Sequence, residues 1–143
     1  MWRRCSRCCP FLTGVRPARK RDYAVLRLLW DNALRRGEIS GANVGDFDPR
    51  ARTLNIYGKG RGTQAQLIDL HCATADAISD WLSVRGAAMP LDPLFIALTK
   101  REYGLRLSGY AIYKLVFSTC TALREFLKES ARTEYATLQL RLC

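Results

Sequence analysis

The residue types that could act on a phosphate lie in two short segments of this 143-residue chain. Arg35 and Arg36 are adjacent, Glu38 follows two residues later, and Lys59 stands between two glycines. A guanidinium group binds phosphate through a fork of N–H donors and keeps its charge. A lysine can serve as a general acid because its pKa falls readily near other cations. These groups suit the clamping of a phosphodiester and the protonation of its leaving oxygen.

The composition is that of a single folded domain with a strongly cationic surface. Apolar residues make up 48% and charged residues 25% of the chain, which favours a globular protein over a disordered one. The formal net charge of +10 indicates a polyanionic partner or an acidic membrane surface. No apolar run approaches the roughly 18 residues of a membrane span, and the N-terminus lacks the apolar core of a signal peptide. We therefore expect a cytoplasmic protein without a membrane partner.

Residues 1–20 differ in character from the rest of the chain because they are basic, contain no acidic residue and are rich in cysteine. Cys5 and Cys8 have the spacing of half a zinc site, but no second pair lies at a matching distance. The His71-Cys72 pair is distant and has the wrong spacing. We predict a reduced, basic N-terminal arm that adds nonspecific phosphate contacts, with no metal and no cofactor.

The helix that precedes Arg35 and Arg36 must position them. The apolar spacing predicts a helix from Asp22, as N-cap, to Gly37, where a left-handed residue would end it. Arg35 and Arg36 would then occupy its last turn, which is favourable with the helix dipole. The predicted apolar face consists of Tyr23, Leu26, Leu29, Trp30, Ala33 and Leu34.

A predicted β-hairpin positions the lysine. Residues 53–57 alternate and are rich in strand-forming types, and residues 64–70 form a second predicted strand. The glycine-rich segment 58–63 between them would place Lys59 and Arg61 at the tip, where a solvated turn is the alternative interpretation. The segment lacks the spacing of a Walker phosphate loop. We expect Arg61 to contact a phosphate backbone and to take no part in chemistry.

The remaining pattern predicts an α+β fold that is mostly α-helical with a small antiparallel sheet. Residues 38–44 indicate a short helix or turn, and residues 73–85 a helix with a buried apolar side. A short strand is predicted over residues 94–97, after a proline-punctuated loop. A further helix is predicted to begin after Ser108 as its cap, with Ile112, Leu115, Val116 and Thr119 on its apolar face.

The segment 33–48 resembles the first active-site box of the tyrosine recombinases, the phage integrase family. That family's pattern is roughly Gly-Leu-Arg-x-Ser-Glu-Leu, and its Leu-Arg-x-x-Glu core is present as Leu34, Arg35 and Glu38. A hairpin beginning Gly-Lys-Gly follows the box in the family, and Lys59 stands where its lysine would be. Three positions depart from the family's pattern: Ala33, Gly37 and Ile39.

The resemblance implies roles for these residues. Arg35 would be the catalytic arginine that clamps the phosphate, Lys59 the general acid, and Glu38 the carboxylate that supports the arginine. All three are expected to face one pocket. Arg36 is expected outside that pocket, more exposed than Arg35, as a DNA-binding residue together with Arg61.

The resemblance covers residues 21–117, about two thirds of the chain. The family's second box, His-x-x-Arg, should follow the helix that begins at Ser108, yet the only histidine of the sequence is His71. Tyr135 lies too near that helix for the missing box to precede it, so we interpret it as a surface or core residue and not as the nucleophile. We therefore predict a partial catalytic domain and a divergent tail over residues 118–143.

Three hypotheses of function follow. The first is a DNA-binding, integrase-like or recombinase-like protein of DNA integration and site-specific recombination, catalytically impaired by truncation. The second is a non-enzymatic nucleic-acid-binding remnant, or an accessory of an intact recombinase. The third is a globular fragment without function. The expected partner is duplex DNA, bound through its phosphate backbone, with other recombinase protomers as a second partner.

Overall fold

The computed structural model describes residues 17–58 and 65–141, with side chains up to residue 125. Within this part of the chain the helices are α1 (Pro17–Asp31), α2 (Arg36–Gly41), α3 (Cys72–Arg85) and α4 (Gly109–Arg141). The strands are β1 (Phe47–Asp48), β2 (Thr53–Tyr57) and β3 (Ala65–Asp69), and a single 3-10 turn spans Val44–Asp46. One compact unit ends at Ile112 and a second begins at Tyr113. The predicted boundaries of the arm, the partial domain and the tail remain predictions.

The described strands form an antiparallel sheet in the order β1-β2-β3. Leu54 of β2 pairs with Phe47 on one side and with Ile68 on the other. Leu54 and Ile56 are buried, so the alternation that predicted β2 gives the sheet its core face. The predicted α+β fold, with a small antiparallel sheet, is confirmed. The strand β1 was not predicted, because two residues are too few to show an alternating pattern.

Helix α1 ends earlier than the sequence indicated and already includes residues before Asp22. Its described part runs from Pro17 to Asp31. Asp22 therefore lies inside the helix and is not its N-cap. Its carboxylate accepts hydrogen bonds from the Arg21 guanidinium at 2.8 and 2.6 Å. Burial raises the pKa of Asp22, and the Arg21 cation partly opposes that shift.

The buried side of α1 also differs from the prediction. Ala24, Val25 and Leu28 are buried, whereas Trp30 is 87% exposed. The segment 23–30 is apolar at every position but one, so more than one face has helical spacing. Packing against α3 selects the face that is buried.

The chain leaves α1 through a turn that the sequence did not reveal. Ala33 has a φ of 50°, a left-handed conformation that is uncommon for residues other than glycine. The Asn32 side chain donates to the Asp69 carbonyl at 2.9 Å, which ties this turn to the end of β3. The predicted end of the first helix at Gly37 is therefore wrong, and Gly37 lies inside α2.

Helix α3 follows its prediction closely and carries the centre of the core. His71 is its N-cap and Arg85 its last residue. Trp81 is fully buried, and its indole N–H donates to the Leu94 carbonyl at 2.9 Å. Thr74 is also fully buried, and its hydroxyl donates to the Asp31 carboxylate at the end of α1. Helices α1 and α3 are thus joined by apolar packing and by a polar contact.

The strand predicted over residues 94–97 is absent from the structure, although the segment is buried as a strand would be. Only isolated bridges form here, between Asn43 and Pro93 and between Ile96 and Arg106. Leu94 donates its N–H to the Ala42 carbonyl at 2.9 Å. The main-chain groups are therefore satisfied by loops, and no continuous ladder results.

Helix α4 begins where predicted. The Ser108 hydroxyl accepts from the Ala111 N–H at 3.2 Å, which confirms its role as cap. Ile112 is buried, but Thr119, predicted on the same apolar face, is exposed. None of the described helices is long and apolar enough to span a membrane.

The core position of Trp81 can be tested against an exposed tryptophan in the same chain. Trp81→Phe leaves the Leu94 carbonyl without its donor and removes part of a buried ring. We expect the free energy of unfolding to fall by about 2 kcal/mol. Trp30→Phe is the matched control and should change it by less than about 0.5 kcal/mol. Urea unfolding followed by circular dichroism measures both, and equal losses would contradict the core described here.

Candidate functional site

An open cavity of about 690 Å³ lies where α2 and α4 begin. Its polar lining residues are two arginines and a tyrosine, and two of the other lining residues are glycines, which have no side chain. The lining residues are Leu34, Arg35, Arg36, Gly37, Gly109 and Tyr110. All of them belong to the first compact unit. The cavity therefore joins the predicted arginine pair to the start of the helix that follows Ser108.

Arg35 is the N-cap of α2. The prediction that it lies in the last turn of the first helix is therefore wrong. Its backbone is extended, with φ −74° and ψ 148°. An arginine side chain has no acceptor and cannot cap a helix itself. Instead, the Arg35 N–H donates a hydrogen bond to the Glu38 carboxylate at 2.8 Å. The Arg35 side chain is left 81% exposed, and the residue lines the cavity.

Glu38 lies between the arginine and the hairpin. Its side chain is only 15% exposed, and its second carboxylate oxygen is 3.9 Å from a terminal nitrogen of Arg35. An ion pair of that length with an exposed partner contributes little to stability, so the hydrogen bond to the Arg35 N–H is the stronger contact. Glu38 also stands in the first turn of α2, where a negative charge is favourable.

The end of strand β2 lies beside the Glu38 carboxylate. A Cβ placed on Gly58, just after β2, would lie 3.9 Å from the Glu38 carboxylate. Lys59, the next residue, lies outside the described residues, and so does Arg61. Their predicted roles as general acid and backbone contact therefore remain predictions.

Arg36 lines the cavity, and its predicted place outside the pocket is wrong. The error follows from the helix boundary, since α2 begins at Arg36 and turns this residue toward α4. A Cβ on Gly109 would lie 3.8 Å from the Arg36 Cβ. Arg35 and Arg36 therefore both line the cavity, where one arginine was expected. The role of Arg36 in DNA binding remains a prediction.

Tyr110 was missed by the sequence analysis. It stands in the first turn of α4 and is exposed at the cavity. It lines the cavity together with the two arginines. The signal that could have found it is its position two residues after the Ser108 cap, since the first turn of a helix favours negative ligands.

The other residues considered for chemistry lie elsewhere. The His71 imidazole accepts from the Ala73 N–H at 3.4 Å and is 3.7 Å from the Cys72 sulfur, so it serves the start of α3. Tyr135 belongs to α4 in the second unit, and its side chain is outside the described part. The described residues contain no cluster of three or more potential metal ligands, and Cys5 and Cys8 lie outside them.

Comparison with known proteins identifies tyrosine recombinases as relatives of this chain. A tyrosine recombinase from Synechocystis sp. is 51% identical over 98 residues, which are 68% of this chain and 31% of the relative. One from Synechococcus elongatus is 45% identical over 104 residues, 73% of this chain and 32% of the relative. Tyrosine recombinase XerC from Actinobacillus pleuropneumoniae is 32% identical over 96 residues, 67% of this chain and 30% of the relative. The chain thus spans about a third of the length of these relatives.

The fold has a counterpart among solved structures. The crystal structure of XerA recombinase superposes with a TM-score of 0.56 at 22% identity, over 67% of this chain and 34% of that one. No family model matches the sequence. Over the matched residues this chain is homologous to the tyrosine recombinases, which confirms the resemblance carried by the Leu-Arg-x-x-Glu core.

The capping contact of Glu38 predicts how its variants behave. Glu38→Ala removes the acceptor of the Arg35 N–H, and we expect the free energy of unfolding to fall by about 1 kcal/mol. Glu38→Gln keeps an accepting oxygen and should lose less than half as much. Glu102→Ala, in an exposed loop, is the control and should have no measurable effect. Urea unfolding decides, and equal losses for the alanine and glutamine variants would show that charge, not the accepting oxygen, stabilises α2.

Proposed function

We propose that this chain, homologous over two thirds of its length to tyrosine recombinases, is a DNA-binding, recombinase-like protein that holds a DNA phosphate without cutting the strand. The observation that carries the proposal is that two adjacent arginines, Arg35 and Arg36, line one open cavity. A role in DNA integration and site-specific recombination follows from the homology. Duplex DNA is the proposed partner and the cytoplasm the proposed location.

The cavity has the properties of a phosphate site. Two arginine forks can bind the nonbridging oxygens of one phosphate or of neighbouring phosphates, and their charge does not titrate in the accessible pH range. The start of α4 adds the positive end of a helix dipole, with no acidic residue in its first turn. The cavity is wide and open, which suits a polymer lying across it better than a small enclosed ligand. The net charge of +10 draws DNA toward the protein from a distance.

Lys59 is proposed as the general acid, the role that the resemblance to the tyrosine recombinases implies for it. The strand end at Gly58 lies beside Glu38, which in turn holds the Arg35 backbone. Lys59 follows Gly58 directly in the sequence, and we propose that it acts on the same phosphate. Its cation would also strengthen ground-state binding, whether or not a proton is transferred.

Strand cleavage needs more than these residues provide. A tyrosine must attack in line, and fixed cations on both sides must stabilise the charge that develops on the phosphate oxygens. The 143 residues contain no His-x-x-Arg motif, and the single histidine, His71, is engaged at the start of α3. We therefore propose that cleavage is lost or severely impaired while phosphate binding is retained.

The second candidate is a non-enzymatic accessory of an intact recombinase. The described part of the second unit exposes Tyr113, Phe117 and Leu123 on α4, and the rings of the first two stack at 6.2 Å. Exposed apolar side chains of this kind suit contact with another protomer. Analytical ultracentrifugation with and without an intact recombinase distinguishes the two candidates, since an accessory forms a complex in the absence of DNA.

DNA binding is tested by removing one cavity arginine. Arg35→Gln should weaken binding of a duplex about tenfold and flatten the salt dependence of the affinity by about one phosphate contact. Arg124→Gln, on the exposed surface of α4, makes the same change of charge outside the cavity and should weaken binding less than about threefold. Fluorescence anisotropy over a salt series measures both variants. Equal losses would show that only the overall charge binds DNA.

Loss of cleavage is tested with a nicked suicide substrate analysed on a denaturing gel. We expect DNA binding and no covalent protein–DNA product, because a missing clamp donor alone commonly costs a hundredfold or more. A covalent product that disappears in Tyr135→Phe would show that Tyr135 is the nucleophile and that the enzyme is active. A product that persists in this variant would point to another tyrosine and would equally contradict the proposal.

A further inference from the structure

Arg106 binds the end of α2 with a fork of hydrogen bonds. One terminal nitrogen donates to the Ser40 carbonyl at 2.8 Å and to the Ala42 carbonyl at 3.2 Å. The other donates to the Asn43 side-chain oxygen at 2.6 Å. Carbonyls at the end of a helix have no partner within that helix, so the guanidinium caps α2 from outside. A planar fork can reach these acceptors together, whereas a single ammonium group cannot match its geometry.

The contact is reciprocated from α2. The Ser40 hydroxyl donates to the Leu107 carbonyl at 2.8 Å. Leu107 is itself buried, and its N–H donates to the Phe95 carbonyl at 3.0 Å. The segment that carries Arg106 is therefore fixed to the core on one side and to α2 on the other.

This link joins the two walls of the cavity. One wall is the start of α2, with Arg35 and Arg36, and the other is the start of α4, which begins two residues after Leu107. Helix α2 has only six residues, and a helix this short is not stable by itself. Its position depends on contacts to the rest of the protein, which are the burial of Ile39 and the fork of Arg106 at its end, while Glu38 holds its start.

We propose that Arg106 is a positioning residue for the phosphate cavity. It acts through α2, by holding Arg35 and Arg36 at a fixed distance from the first turn of α4, and does not itself bind DNA. Its terminal nitrogens are directed at protein acceptors, although its exposed location on a basic protein would otherwise suggest a direct DNA contact. This inference rests on the proposed function of the cavity.

The experiment separates positioning from charge. Binding of a fluorescent duplex is measured by anisotropy for Arg106→Gln, Arg106→Lys, Ser40→Ala and Arg101→Gln, after circular dichroism has shown each variant to be folded at the assay temperature. Arg101 is an exposed arginine of the preceding loop and gives the matched loss of charge. We expect both Arg106 variants and Ser40→Ala to weaken binding about fivefold, and Arg101→Gln less than twofold. The lysine variant keeps the charge but loses the fork, and Ser40→Ala changes no charge.

A double-mutant cycle completes the test. Arg35→Gln and Arg106→Gln should lose less affinity together than the product of their separate effects, because both act on one contact, whereas Arg35→Gln and Arg101→Gln should be independent. Wild-type affinity in Arg106→Lys, or independence of Arg35 and Arg106, overturns the inference while leaving the cavity's function intact. If Arg35→Gln binds as tightly as the wild type, the proposed function and this inference both fall. If Arg106→Gln is unfolded, Ser40→Ala decides, since unchanged binding in that variant overturns the inference.

Discussion

The burial of Leu34 determines which way the arginine beside it points. The backbone at Arg35 is extended, so consecutive side chains leave it on opposite sides, and Leu34 takes the core side. Ile39, fully buried, fixes the same short helix from its other end. Burying two such side chains stabilises the segment by about 3–6 kcal/mol, well above what the exposed ion pair of Arg35 contributes. The cationic cavity thus depends on apolar packing directly beneath it.

The elements that were predicted well are those whose local pattern and tertiary environment agree. Strand β2 alternates and has one buried face, and α3 has a cap, a helical period and a buried tryptophan. The end of α1 could not be predicted, because it depends on a left-handed alanine at position 33 that no propensity favours. Its buried face could not be predicted either. The apolar run is almost continuous, so packing against α3 determines which face of α1 is buried. The segment 94–97 is buried like a strand, but its hydrogen bonds go to loops.

The site shows the same division between local and distant causes. The contact between Arg35 and Glu38 lies within one short sequence motif and spans three residues, so the sequence analysis could anticipate it. Arg36 was misplaced because its direction depends on where α2 begins. Arg106 was not found at all, since its partners lie more than sixty residues earlier in the chain and a single sequence does not show that proximity. The supporting residues of a site are therefore harder to predict than the residues that face its ligand.

If the cavity binds a DNA phosphate without cleavage, as proposed, a definite physical consequence follows. Charges that stabilise a bound phosphate equally in its ground state and its transition state produce affinity without rate. Under the proposed function, Arg35 and Arg36 would supply attraction of this kind, and the lack of a nucleophile or of an opposing cation would raise the barrier to cleavage without removing that attraction. DNA held in this way would stay intact, with the protein bound to it. If the proposed function is correct, the protein would compete with an intact recombinase for the same DNA phosphates. Its effect on recombination would then be inhibitory.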